Sequence, residues 1–297
     1  MEFKKYQHIE RFGTSEVEGI ELGTCYVFYK IDGTNGSVWL DSNGQIKAGS
    51  RNRELTLDND NAGFHNHVVN NPNLKAYLAK YPNHRLFGEW LVPHSLKTYR
   101  EDSWKKFYVF DIQLESGHYI PYEQYSTALQ EFGIEYIPPI AIVRNGNIGK
   151  FYNLLEKSGE FLVEDGRGKG EGIVIKNYDW QNRYGRQIWA KMVTNEFKEK
   201  HSKTMGVPSI QSLLIEEKIV EKYCTEAFIE KEYAKIVLEE GGWSSKYIPK
   251  LLGKVFHELV REEIWNFVKE NKLPTVNFRT LNYLVVEKVK EAKKELF

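Results

Sequence analysis

A lysine that ends an apolar run, with a carboxylate two residues on, is the first feature with chemical potential in this 297-residue sequence. Lys30 follows Cys25-Tyr26-Val27-Phe28-Tyr29, whose β-branched and aromatic residues predict a strand. Asp32-Gly33 predicts a tight turn, and Gly36-Ser37-Val38-Trp39-Leu40 a second strand, so Lys30 is expected at a hairpin-like bend. Taken alone, such a lysine reads as an ordinary surface residue. The sharper alternative is a nucleophile. A free lysine, with a pKa of about 10.4, is neutral in only ~4 × 10⁻⁴ of molecules at pH 7. Lowering that pKa by about 3 units disfavours the ammonium by ~4 kcal/mol, which partial burial and nearby cations can supply.

Further stretches carry groups of the same kind. Gly49-Ser50-Arg51-Asn52-Arg53 sets two arginines after the second strand. Leu86-Phe87-Gly88-Glu89-Trp90 puts a glutamate in an apolar strand, and Phe107-Tyr108-Val109-Phe110-Asp111-Ile112 puts an aromatic and an acid in another. Glu171-Gly172-Ile173-Val174-Ile175-Lys176 alternates as a strand does, and Trp189-Ala190-Lys191-Met192-Val193 holds a lysine among apolar neighbours. Each has a plain structural explanation, since a strand acid usually faces solvent and a strand-end lysine usually snorkels. His65-Asn66-His67 offers two imidazoles for a metal, against the plainer reading of a solvated turn. Glu164-Asp165-Gly166-Arg167-Gly168-Lys169-Gly170 is glycine-rich, but no Gly-Lys-Ser/Thr follows to make a P-loop.

The elements that must position these groups divide the chain. Residues 1–205 show short apolar runs separated by turn residues, the pattern of an antiparallel-rich α+β domain, with helices expected at Asn73–Lys80 and Tyr122–Phe132. Residues 206–297 are helical in pattern. Apolar positions from Ile210 and Leu213 through Phe228 recur at helical spacing. Gly241-Gly242 stops that region, Pro249 opens a second helix ended by Asn271 and Pro274, and an amphipathic helix with Leu281, Leu284, Val285 and Val289 closes the chain. Trp243 is expected to pack a helix junction. Lys246, Lys250 and Lys254 read as a solvated helix face, with an RNA-tracking face as the alternative.

Lys+Arg and Asp+Glu number 41 each, and the balance is the same on either side of residue 205. No global basic field points to nucleic acid, so any polyanion site must be a local patch. Two distant cysteines, Cys25 and Cys224, leave no CxxC metal or redox motif. A reduced, cytoplasmic location is expected, with no membrane segment and a monomeric state.

The order KxDG, SRNR, FGE, FxxFD, EGIVIK and a strand lysine, over about residues 25–200, resembles the covalent nucleotidyltransferase superfamily of ATP-dependent ligases and capping enzymes. Within it, the chain resembles RNA ligases of the RNA-ligase-2 type. The resemblance implies an α+β antiparallel-sheet adenylation domain over residues 1–205. The helical segment 206–297 would then contact the RNA substrate. It also implies that Lys30 attacks the α-phosphate of ATP to form lysyl–AMP. Glu89 would accept hydrogen bonds from ribose hydroxyls, and Phe110 would stack on the base. Glu171 would help hold Mg²⁺ or Mn²⁺. Arg51, with Arg53 as second candidate, would contact the nucleotide or the 5′-phosphate strand, and Lys176 and Lys191 the phosphates. The RNA would present a 5′-phosphate and a 3′-hydroxyl, as in RNA repair.

Three residues depart from the family pattern. Asp32 stands where RNA ligases of this type often have His, Tyr29 stands where a Glu often precedes the nucleophile, and Val193 stands where a second lysine is usual. A DNA ligase or a capping nucleotidyltransferase is the competing enzyme, though both usually carry a β-barrel where this sequence reads as helices. An inactive RNA-binding relative is the alternative of another class.

Overall fold

The computed structural model describes residues 1–194, 214–272 and 274–297. The chain forms two compact units, Met1–Phe12 with Glu16–Gly206, and Gly13–Ser15 with Val207–Phe297. The division expected at 205/206, and the helical positions Ile210 and Leu213, lie outside the described residues.

The first unit is α+β. One five-stranded sheet contains β1 (Glu10–Arg11), β2 (Thr24–Lys30), β7 (Pro139–Arg144), β8 (Gly172–Lys176) and β9 (Ala190–Val193), in the order β1-β9-β8-β2-β7. Only its β1–β9 pair is parallel. A four-stranded antiparallel sheet, in the order β4-β3-β5-β6, contains β3 (Thr34–Leu40), β4 (Ile46–Ser50), β5 (His84–Trp90) and β6 (Phe107–Leu114). Helices α1 (Phe64–Asn70), α2 (Pro72–Lys80) and α3 (Tyr122–Glu131) share a core with the second sheet through Phe64, Leu74, Tyr77, Tyr125, Val38 and Leu86. Helix α4 (Ile148–Leu155) is capped by the Asn147 side chain. A second core, including Phe28, Phe87, Tyr108, Val174 and Trp189, draws residues from both sheets. A cavity opens in this layer.

The hairpin expected around Lys30 is not what forms. β2 and β3 belong to different sheets, so Ile31-Asp32-Gly33 is a crossing segment rather than a turn within one sheet. Gly33 is required by close approach: a Cβ there would lie 2.5 Å from the Trp90 carbonyl oxygen. The local Asp-Gly signal carries the right residues for a different reason, since glycine also serves where backbones must come together. Helices α1 and α4 were not expected from the sequence. α1 is seven residues long, polar except at Phe64 and its Val68-Val69 pair, and begins at Gly63 without a side-chain cap, so its stability comes from burying Phe64 and Val68.

The second unit is helical among the described residues, with α5 (Ile215–Tyr223), α6 (Glu226–Glu240), α7 (Ile248–Glu270) and α8 (Phe278–Ala292). Ile219, Ile229, Ile236, Leu251, Val255 and Val285 are part of its core. Thr225 and Asn277 cap α6 and α8 through side-chain oxygens, and Gly241 ends α6 at φ 69°. Trp243 packs against Tyr233 and Tyr247 at 4.7 and 6.2 Å between ring centroids, as a helix junction requires. Lys250 bonds Glu239 and Glu240, and Lys254 bonds Glu239, so these two lysines spend their charge within the unit. No described helix is long and apolar enough to cross a membrane.

Candidate active site

The last residue of β2 and the residue before β8 meet because those strands run antiparallel with Lys30 opposite Gly172. Gly172 permits this edge, since a Cβ there would lie 2.1 Å from the Met192 carbonyl oxygen on β9. Lys30 Nζ consequently sits 2.7 Å from both carboxylate oxygens of Glu171. Around them lies a cavity of about 360 Å³ whose lining includes Tyr29, Asp32, Arg51, Glu89, Phe110 and Lys176. That volume is in the range of small-molecule sites.

Three strand positions and one from the crossing segment converge on this cavity. Glu89, on β5, accepts the Gly33 N–H at 3.0 Å, which ties the FGE strand to the crossing segment. Asp32 is buried, and its carboxylate accepts the Leu96 N–H at 2.6 Å and bonds His94 Nδ1 at 2.9 Å, while its own N–H donates to Tyr99 Oη at 2.7 Å. Its carboxylate thus anchors the 94–99 loop at the cavity, and His94 is a lining residue without a motif of its own. Phe110, on β6, presents a half-buried ring and packs against Tyr6 at 4.9 Å. Tyr29 stacks on Phe161 at 5.3 Å with 23° between planes.

Lys176 lines the same cavity, but its Nζ is engaged: it donates to Asp111 Oδ1 at 2.7 Å and to the Phe110 carbonyl at 2.5 Å. Asp111 also accepts from Tyr6 Oη and from Trp189 Nε1, the latter at 3.0 Å. The acid of the FxxFD block is therefore the hub of a buried network joining the N-terminal segment, β6, β8 and the residue before β9. Lys191 does not line the cavity, yet it is close enough for the charges of Lys30, Glu171 and Arg51 to act on it. Arg51 is exposed and lines the cavity, whereas Arg53 donates to Asn59 Oδ1 at 2.8 Å and does not. The two histidines of the 65–67 stretch lie on α1, where the His67 ring packs on Trp90 at 4.7 Å.

The electrostatics correct one expectation. Burial opposes the Lys30 ammonium, but Glu171, Glu89 and Asp32 outweigh it and hold the pKa above the ordinary lysine value. In this protein alone, then, Lys30 is a protonated amine bound to a carboxylate, and neighbouring cations do not by themselves activate it. Burial pushes Glu89 up to about 8, with Lys30 opposing and Glu171 adding to the shift. Burial also raises Glu171, against the pull of Lys30. Burial lowers Lys191, and Lys30 lowers it further.

Glu171 and Asp32 facing one lysine leave surplus negative charge even while Glu89 holds its proton. Among the described residues no three His, Cys, Asp or Glu side chains form a ready-made metal cage. A magnesium-like ion needs only one or two carboxylates when substrate phosphates and water complete its shell. The residues present fit such an ion, with Glu171 the candidate ligand.

Comparison with known proteins follows this geometry. The RNA ligase family model matches residues 23–193, more than half of the chain. A solved variant of a Naegleria gruberi RNA ligase with ATP and Mn has a TM-score of 0.51 at 19% identity, covering 67% of this chain and 58% of that one. A second variant of that protein, with AMP and Mn, gives 0.52 at 19% identity. An archaeal ATP-dependent RNA ligase gives 0.51 at 14% identity, covering 98% of this chain and 66% of that one. The chain therefore spans less than two thirds of either relative's length, and at these identities the likeness is one of fold. No curated protein matches. With its model spanning every block from β2 to β9, the chain belongs to the RNA ligase family.

Proposed function

We propose that this chain is an ATP-dependent RNA ligase that joins a 3′-hydroxyl to a 5′-phosphate through lysyl–AMP and adenylylated RNA. The observation that carries this reading is the grip of both Glu171 oxygens on Lys30 Nζ at 2.7 Å, inside a cavity edged by Arg51, Glu89 and Phe110. The ATP- and AMP-bound states named for the Naegleria ligase, and the ATP dependence named for the archaeal one, support the choice of nucleotide.

In the first step the Lys30 proton passes to Glu171, the group its Nζ already touches and a carboxyl that burial holds above the usual range. The free amine then forms a P–N bond to the α-phosphate of ATP and pyrophosphate leaves. Glu89 orients the ribose by accepting its hydroxyls, and Phe110 offers a flat apolar face to the base. Arg51 and Lys191 balance phosphate charge, with Lys176 a third cation at the cavity wall. A divalent cation at Glu171 would offset the triphosphate charge, the main service phosphoryl transfer asks of its surroundings. A 5′-phosphate oxygen of RNA next takes the AMP group from Lys30, and the 3′-hydroxyl of the second strand displaces AMP. RNA repair is the role this chemistry suits.

The test is incubation with α-labelled ATP and Mg²⁺ or Mn²⁺. A covalent, acid-labile label that Lys30→Ala abolishes is expected. No label with any nucleotide would overturn the enzyme, and labelling by GTP alone would favour a capping-type enzyme. Sealing of an RNA 3′-hydroxyl nick in preference to an all-DNA nick is expected, and equal sealing would count against RNA as the substrate.

A further inference from the structure

A second cavity, of about 380 Å³, lies in the first unit and is not used by the chemistry above. Its lining includes Lys4, Lys5, His8, Tyr119 and Arg186. Lys4, Lys5 and Arg186 are exposed, and none of them forms an ion pair among the described residues. Two acids also line the cavity, and each has a basic neighbour: Glu10 lies 3.9 Å from His8, and Glu16 lies 3.8 Å from Arg183. The three unpaired cations outnumber the two lining acids and set the sign of the local field.

Beside Arg186 stands an aromatic that is partly open to solvent. Tyr184 is 56% exposed, and the guanidinium groups of Arg183 and Arg186 lie 4.9 and 5.7 Å from its ring centroid. The turn that presents it is built: buried Asn182 accepts the N–H groups of Tyr184 and Arg186 through Oδ1, both at 3.0 Å, and Gly185 takes φ 72°. Cations lining a cavity, with a partly open ring beside them, are what a flexible polynucleotide strand needs, phosphates on the cations and a base against the exposed part of the ring.

We propose that Lys4, Lys5, Arg186 and Tyr184 form a docking site for a single-stranded stretch of the RNA substrate, away from the ends being joined. This rests on the RNA-ligase reading for the identity of the polyanion. The site also shares a wall with the nucleotide cavity. Tyr6, between Lys5 and Gln7, lines the nucleotide cavity and bonds Asp111, while both of its neighbours line the second cavity. Trp189, which closes the 177–189 connection bearing Tyr184, bonds the same Asp111.

The experiment measures binding of a fluorescent single-stranded RNA to the full chain across a salt series, beside the α-labelled ATP assay. Each cation withdrawn from a phosphate lowers the single-strand salt slope by about 0.7. The triple variant Lys4→Ala, Lys5→Ala, Arg186→Ala is expected to bind RNA at least tenfold more weakly at low salt, with a slope reduced by about 2. Its label on Lys30 is expected to stay within about twofold of the parent chain. Tyr184→Ala is expected to bind roughly tenfold more weakly, and Tyr184→Phe to bind as the parent does, which separates loss of a ring from loss of folding. Unchanged affinity and slope in the triple variant would overturn the proposal, as would a parent chain that binds no RNA. A variant that loses binding of free AMP but not of RNA would make the cavity a mononucleotide site instead. RNA binding of the expected kind in a parent chain that takes no label would sink the ligase reading and leave the docking site standing.

Discussion

Two lysine–carboxylate pairs lie in one cavity wall at the same 2.7 Å separation, Lys30–Glu171 and Lys176–Asp111, and they are built for opposite ends. The Lys176–Asp111 pair is closed: its side chains are 2% and 0% exposed, and Asp111 spends its remaining capacity on Tyr6 and Trp189. Burial holds Lys176 below its ordinary pKa against the pull of Asp111. The Lys30–Glu171 pair is open, at 23% and 10%, and it faces two further carboxylates. Surplus charge and access mark the pair proposed to react, while saturation marks the pair that holds the wall. An identical contact distance says nothing about which is which.

The largest expected effect comes from removing the open pair's amine. Lys30→Ala is expected to abolish nucleotide labelling, a loss of at least about 10⁴-fold, since no other nucleophile replaces it. Glu171→Gln keeps the shape but removes the proton acceptor, and is expected to slow labelling by about 10²- to 10³-fold. A variant that labels at the parent rate would mean that Glu171 neither takes the proton nor serves the reaction by charge.

Breaking the closed pair acts on stability instead. Lys176→Met strands Asp111 as a buried charge and is expected to cost about 3–5 kcal/mol in urea unfolding. Adding Asp111→Leu to Lys176→Met is expected to recover much of that loss, because both desolvated charges are then gone. A double variant no more stable than the single would show that the Tyr6 and Trp189 bonds to Asp111, rather than its charge, hold the wall.

The smallest effect is a pH dependence. Glu89 is raised to about 8, so between its unfolded value near 4.5 and about 8 the folded chain holds a proton that the unfolded chain has lost. Stability from this group is present at low pH and fades as pH rises through that window. The melting temperature of Glu89→Gln relative to the parent is therefore expected to rise by about 6–10 °C from pH 5 to pH 8. A flat difference would mean that Glu89 is charged throughout.

Much of the candidate site was legible because most of the motif residues fall at or near strand ends, where sequence order and strand pairing bring them together. Lys30, Arg51, Glu89, Phe110, Glu171 and Lys176 all line one cavity. The helical second unit was legible from apolar spacing, with its stop at Gly241 and its restart at Ile248 beside Pro249. What escaped were long-range pairings without a local signature. Asp111 and Lys176 are 65 residues apart, and nothing in either strand marks them as partners. His94 gave no signal beyond a Pro93-His94 step after a strand, yet it is held by the carboxylate of the Lys30 motif. The Asp-Gly step misled because a turn and a close backbone approach ask for the same residue. The second cavity was hidden by a balanced charge, which conceals three unpaired cations contributed by stretches about 180 residues apart.

The comparison of the two lysines can be put to one measurement. The chain is incubated with ATP and Mg²⁺, digested, and the peptides are mapped by mass spectrometry under conditions that preserve the phosphoramidate. The account predicts an AMP mass on the peptide containing Lys30 and none on those containing Lys176 or Lys191. An adduct on Lys176 or Lys191, or no adduct on any lysine, would contradict it.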